Sequence, residues 1–162
     1  MKNILIPALF FTFSASAQKI TTIEGNGKKL MVANMTVKGT ITWGGYEEIG
    51  IPAKSETDGA ANTRAIVAAV GKNSGYDGKP YAAKVCDTLT LGGYTDWYLP
   101  CQEETNIIHL NFQQLKLEEK MTLWSSTEAS GTQAVTKYLY SGVFYNVGKV
   151  EPNHFVCVRK PD

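Results

Sequence analysis

The sequence carries no excess of charge of either sign. Its 162 residues include 16 Lys and Arg against 15 Asp and Glu, a formal net charge of +1. No basic patch stands out along the chain, so we expect neither nucleic acid nor an anionic membrane surface as a partner. After residue 17 no apolar stretch approaches the roughly 20 residues that span a bilayer. We therefore expect no membrane insertion once the N-terminal segment has been removed.

The sequence also lacks the short signatures of common catalytic sites. It contains no G-x-S-x-G, H-E-x-x-H, C-x-x-C or phosphate-loop motif. The two histidines are His109 and His154, and either could serve the thiol of Cys101 as a base. A role as a helix cap or small packing residue explains Cys101 better than a role as a nucleophile. We predict that the protein is not an enzyme, and a thiol-dependent enzyme is the weaker alternative.

The N-terminus has the pattern of a secretory signal peptide. Lys2 precedes an apolar run over 4–13, and the small residues Ser14 to Ala17 follow it. Cleavage after Ala17 would make residues 1–17 the signal peptide and Gln18 the new N-terminus. The alternative is an uncleaved N-terminal anchor. The predicted location is secreted, periplasmic or on the cell surface.

Export would place three cysteines in an oxidising compartment. Cys86, Cys101 and Cys157 allow one disulfide and leave one thiol over. The residues themselves leave all three pairings open.

Local signals predict three helices. Asp58 is a suitable N-cap and Gly71 a suitable C-terminal glycine for the first helix. A second helix is predicted over 81–89, with Cys86 on its apolar face. A third begins just after Pro100, with acidic residues in its first turn.

Most of the remaining chain has the composition and turns of β-strands. The stretch 29–43 predicts one or two strands, within a predicted N-terminal strand segment 18–42. Four further strands are predicted at 122–127, 133–140, 143–147 and 154–159. Strand, then helices, then a run of strands is an α+β pattern, with two to three helices packed on an antiparallel sheet.

Five short motifs occur in a fixed order across this pattern. They are D-G-A-A-N-T, Y-A-A-K-V-C-D, L-G-G-Y-T-D-W-Y-L-P, L-W-S-S-T-E and F-V-C-V-R. Together they resemble the Lcl C-terminal-like domain, a bacterial family named after the tail of a collagen-like surface adhesin. The resemblance covers about 43–159, so 43–162 is the predicted domain. The chain departs from the family at Cys101, where serine is usual, and at Thr105, where leucine is usual.

The resemblance implies a C-type-lectin-like fold, related to formylglycine-generating-enzyme-like domains. It also implies a disulfide between Cys86 and Cys157 that leaves Cys101 free. The implied function is an exported, non-catalytic adhesion module that binds a surface carbohydrate or protein. The alternative is a structural or assembly subunit of a bacterial surface or phage-like structure.

The L-W-S-S-T-E motif is one candidate ligand site. Strand alternation would place Trp124, Ser126 and Glu128 on one face, where they could form the floor of a groove for sugar hydroxyls. The alternative is a core tryptophan with serines that satisfy buried main chain.

The hairpin around Ser141 is the second candidate. Tyr138, Tyr140, Tyr145 and Asn146 crowd this hairpin, and exposed tyrosines make good contact residues. The alternative is ordinary cross-strand pairing within the hairpin.

Calcium is the one cofactor that the residues suggest, and only weakly. The tripeptide Glu151-Pro152-Asn153 occurs in mannose-type C-type lectins, but this chain lacks the W-N-D that accompanies it there. Asp58, Asn62 and Thr63 offer oxygen ligands at a spacing unlike an EF-hand. We therefore predict no cofactor and no metal site.

Overall fold

The described residues, 19–34, 39–71 and 78–162 of a computed structural model, form the predicted α+β arrangement. Two three-stranded antiparallel sheets pack with three α-helices. The predicted signal peptide, residues 1–17, lies outside the described residues. The strands are β1 (Lys19–Gly25), β2 (Lys28–Asn34), β3 (Thr122–Glu128), β4 (Gln133–Tyr138), β5 (Phe144–Gly148) and β6 (Cys157–Arg159). The helices are α1 (Gly59–Val70), α2 (Ala82–Asp87) and α3 (Gln102–Leu110), with a short 3-10 turn at Ile51–Ala53.

The first sheet joins the beginning and the end of the described chain. Its order is β1-β2-β6, and β2 pairs with β6 through Val32 with Val158 and Ala33 with Cys157. Asn26 and Gly27 form the two-residue turn between β1 and β2, both with positive φ, as a type I′ turn requires. The predicted segments 18–42 and 43–162 therefore share one sheet.

The helices begin and end close to where their local signals place them. Asp58 Oδ1 accepts a hydrogen bond of 3.0 Å from the Ala61 N–H, and Gly71 ends α1 with φ of 84°. The predicted start of α3 after Pro100 is confirmed. The second helix is shorter than predicted, because Tyr81 is its N-cap and Thr88 its C-cap.

The disulfide that the resemblance implies is present. Cys86 on α2 and Cys157 on β6 are bonded, with their Cα atoms 5.3 Å apart and a sequence separation of 71. Cys101 is a free, buried cysteine. The bridge therefore ties the helical part of the chain to the first sheet.

Two apolar clusters fill the interior. The first contains the three tryptophans and the disulfide, beneath α1 and α2. The second lies between α3 and the two sheets, with Ile107, Leu123 and Val158 among its members. Of the helices within the described ranges, none is both long and apolar enough to cross a membrane.

Candidate functional site

An exposed aromatic surface lies at the turn end of the β4–β5 hairpin. Thr136 pairs with Tyr145, and the Tyr138 N–H donates to the Val143 carbonyl at 3.0 Å. Side chains alternate along strands, so Tyr138, Val143 and Tyr145 point to the same side of the sheet. The Tyr140 ring lies beside that of Tyr138, with centroids 6.2 Å apart. We call Tyr138, Tyr140, Val143 and Tyr145 the tyrosine face.

The tyrosine face is open to solvent although it is apolar. Tyr140 is 67% exposed, Tyr145 50% and Val143 46%, while Tyr138 is half-buried. Among the described residues, no side chain or main-chain group hydrogen-bonds to the three tyrosine hydroxyls. Large apolar side chains rarely cluster on a surface without a partner, so this face has the character of a contact surface.

The opposite side of the hairpin is covered. Lys137 Nζ donates to Asn106 Oδ1 of α3 at 2.8 Å and lies 3.8 Å from the centre of the Phe144 ring. Burial lowers the pKa of Lys137. Asn146 pairs with Val135 and shares this side, so it does not belong to the tyrosine face. Its side chain is nonetheless exposed, at the outer edge of the sheet.

The L-W-S-S-T-E residues do not form an open groove, which corrects the first site prediction. Trp124 and Ser126 have no exposed surface, and Glu128 is 3% exposed. The Trp124 indole donates to the Ile41 carbonyl at 2.7 Å. The Ser126 N–H donates to the Pro100 carbonyl at 2.7 Å. Both faces of β3 are covered, so the alternative of a core tryptophan with bonded serines describes the motif.

Glu128 instead belongs to a buried ion pair with Lys149. Lys149 Nζ lies 2.6 Å from Glu128 Oε1, and neither side chain has exposed surface. Lys149 also donates to the Glu47 carbonyl at 2.7 Å. The two Glu128 oxygens accept the N–H groups of Ile49 and Gly50 at 2.9 and 2.6 Å. We call this ion pair with its main-chain partners the 128–149 clamp, and it fastens the loop around residues 47–50 to the second sheet.

The thiol of Cys101 is poorly suited to chemistry. It is fully buried, and burial, with the nearby Glu104 carboxylate, raises its pKa to about 12. Glu104 accepts the Cys101 N–H at 2.9 Å and the Tyr98 hydroxyl at 2.7 Å. A nucleophilic cysteine needs a low pKa and access to its substrate, and Cys101 has neither.

The two histidines do not meet Cys101 through any contact in the described part of the chain. His109 stacks on Phe112 at 6.2 Å and lies against Gly142 of the hairpin turn. His154 has its N–H bonded to the Thr122 carbonyl at 3.1 Å, beside β3.

The side-chain oxygens of Asp58, Asn62 and Thr63, which could have held calcium, accept hydrogen bonds from main-chain N–H groups. Asp58 caps α1, and Asn62 Oδ1 accepts the Ser55 N–H at 3.1 Å. Thr63 Oγ1 accepts the Leu99 N–H at 3.0 Å. Asn153 pairs with Ile41 through both of its main-chain groups. Within the described ranges, no three His, Cys, Asp or Glu side chains are placed to hold a metal ion.

Two of the clefts among the described residues bring together segments that are far apart in sequence. The larger, of roughly 670 Å³, lies between the 40–42 segment, the start of α2 and the β5–β6 connection, and is lined mainly by apolar side chains such as Ile41, Val85 and Pro152. The smaller, of roughly 370 Å³, is lined by Arg64, Asp96 and others beside the buried Trp97. Both draw residues from distant parts of the chain, so no local sequence signal marks them.

No protein-family model matches the chain, and no curated protein matches it.

Proposed function

We propose that the protein is an exported, non-catalytic binding module with a C-type-lectin-like fold. In this proposal the tyrosine face recognises a carbohydrate or protein on a surface. The observation that carries it is the cluster of Tyr138, Tyr140 and Tyr145 on a short, well-paired hairpin, with two rings exposed by half or more. Tyrosine offers a large ring, a hydroxyl and little side-chain entropy to lose on binding.

The framework beneath the face supports this role. The hairpin is backed by α3 through the Lys137–Asn106 hydrogen bond, and the neighbouring loop is held by the 128–149 clamp. A rigid platform loses little freedom on binding, so more of the contact energy appears as affinity. The pKa and burial of Cys101 support the non-catalytic part of the proposal.

A glycan array and a pull-down on surface proteins, run with matched variants, test this function. Tyr140→Ala and Tyr145→Ala should each weaken binding by about ten-fold or more, the loss of a contact residue worth about 1.4–2 kcal/mol. Ile51→Ala is the control, because Ile51 is 89% exposed and lies outside the tyrosine face. Equal binding by all three variants would rule out the tyrosine face. No binding in either assay by the unmodified protein would count against the function itself.

A further inference from the structure

Strand β5 is an unpaired edge of the second sheet. In the described residues it pairs with β4 alone. The Tyr138 N–H bonds to the Val143 carbonyl, and the Lys149 N–H bonds to the Thr132 carbonyl, each at 3.0 Å. In an antiparallel ladder such bonds fall on alternate residues, so positions 143, 145, 147 and 149 face β4. Phe144, Asn146 and Gly148 therefore direct their main-chain groups away from the sheet. The Gly148 carbonyl there accepts the Glu151 N–H at 2.9 Å, and its second lone pair is left for another donor.

This edge lacks the usual protection against pairing. The strand reads F-Y-N-V-G, without a proline and without a charged residue. Natural proteins commonly block an edge with lysine, proline or a bulge, and β5 has a regular register with β4 throughout. It is open to another strand.

We propose that two copies of this chain pair along β5, antiparallel and centred on Asn146, into one six-stranded sheet. The two Asn146 residues then exchange main-chain hydrogen bonds across the two-fold axis. Phe144 of each copy stands opposite Gly148 of the other. An isologous contact of this kind uses the same surface twice and closes on itself.

The side chains of β5 are self-complementary in this register. Tyr145 of one copy lies opposite Val147 of the other, an aromatic and β-branched pair that favours cross-strand packing. The two Asn146 side chains meet at the axis, where an amide can both donate and accept. No like charges face each other along the strand, because β5 carries none.

The same register also brings opposite charges closer to each other. Glu151 Oε1 lies 2.9 Å from where a Cβ of Gly148 would stand, so this carboxylate occupies the side-chain place of residue 148. In the dimer, residue 148 of one copy lies opposite Phe144 of the other. Within each copy, Lys137 Nζ lies 3.8 Å from the centre of the Phe144 ring. The dimer thus brings a carboxylate towards a lysine twice, once on each side of the axis.

The pairing also sets the relation between the two tyrosine faces. Residues directly opposite in a ladder share a side of the sheet, so both tyrosine faces come to lie on one surface of the dimer. A ligand with repeated units could then contact both, which raises avidity without new contacts. The dimer itself does not rest on the proposed function. It would also give the assembly role suggested by the sequence a physical basis.

Sedimentation equilibrium of the full mature chain from about 10 µM to 1 mM tests the dimer. A five-residue strand on each side buries less than the about 1,200 Å² of a standard interface, so we expect a concentration-dependent dimer. Asn146→Pro removes a main-chain donor that points outward, which an edge strand tolerates, and should abolish the dimer. Asn146→Thr keeps the donor and should retain it. Circular dichroism checks that both variants fold.

Two further variants test the register. Glu151→Lys should raise the dimer dissociation constant about ten-fold at low salt, because it replaces the attraction between residue 151 and the buried Lys137 of the other copy by repulsion, once on each side of the axis. Asn146→Cys should form a disulfide-linked dimer on mild oxidation, whereas Gln133→Cys, exposed on β4, should not. A wild-type chain that is monomeric at 1 mM, or a dimer that Asn146→Pro leaves intact, would overturn the proposal. Neither outcome bears on whether the tyrosine face binds a ligand.

Discussion

Replacing Lys149 with methionine should destabilise the protein strongly, because it breaks the 128–149 clamp from one side. Lys149 Nζ is 2.6 Å from Glu128 Oε1 and both side chains have no exposed surface. Removing one partner of a buried ion pair leaves an uncompensated charge and costs about 3–5 kcal/mol. Methionine keeps most of the lysine stem, so little of the loss would come from packing. The assay is urea denaturation followed by circular dichroism, with the disulfide intact.

A second substitution separates charge from packing. Glu128→Gln in the Lys149→Met chain removes the unpaired carboxylate while its amide oxygen can still accept a main-chain N–H. The double variant should therefore lose much less free energy of unfolding than the two single variants lose together. The expected coupling energy is about 2–3 kcal/mol. Lys54→Met is the control, since Lys54 pairs with Glu48 at 3.9 Å on the surface and should change stability by less than about 0.5 kcal/mol.

Two results would refute this reasoning about the clamp. One is a decrease of less than about 1 kcal/mol in the free energy of unfolding of Lys149→Met, since breaking a buried ion pair must cost more. The other is strict additivity of the two substitutions, which would mean that the charges do not interact.

Three further predictions concern the cysteines and one partly buried ion pair. Replacing Cys86 and Cys157 together by serine should lower the free energy of unfolding, measured by urea denaturation, by about 4 kcal/mol, because the bridge joins residues with a sequence separation of 71. A decrease of less than about 1 kcal/mol would contradict this. At about pH 8, iodoacetamide should leave Cys101 unlabelled in the native chain and label it in guanidinium, because burial raises the pKa of its thiol to about 12. Rapid labelling of Cys101 in the native chain would contradict this prediction. The Arg159 guanidinium holds the pKa of Asp96 below its usual range, so the stability that this pair contributes is present above about pH 4 and lost as the pH falls. Asp96→Asn should therefore flatten the fall in melting temperature between about pH 4 and pH 2, and an unchanged slope would exclude this linkage.

The parts of the fold that the sequence predicts well are those with a local cause. An aspartate cap and a terminal glycine bound α1 within a few residues, and Pro100 marks the entry to α3. The turn glycines separate β3, β4 and β5 near the predicted positions. Each signal acts on its own segment, so no knowledge of the rest of the chain is needed. The Cys86–Cys157 bridge came from the family resemblance instead.

The predictions that failed depended on distant partners. Alternation along β3 predicts one exposed face, but its residues from Leu123 to Glu128 are all buried because both faces are covered. Glu128 was predicted as a sugar contact, and its partner Lys149 lies 21 residues further on, with nothing local to mark the pair. Strand β1 falls within the strand segment predicted over 18–42, and Asn26-Gly27 could have located the turn inside that segment, because Asn-Gly is a strong hairpin signal.

The β2–β6 pairing has a consequence for the order in which the chain can fold during synthesis. Strand β2 emerges from the ribosome early, but the strand that pairs with its inner edge begins only at Cys157. The same residue completes the disulfide. The first sheet therefore lacks its third strand, and α2 lacks its covalent tie to that sheet, until these late residues have been made.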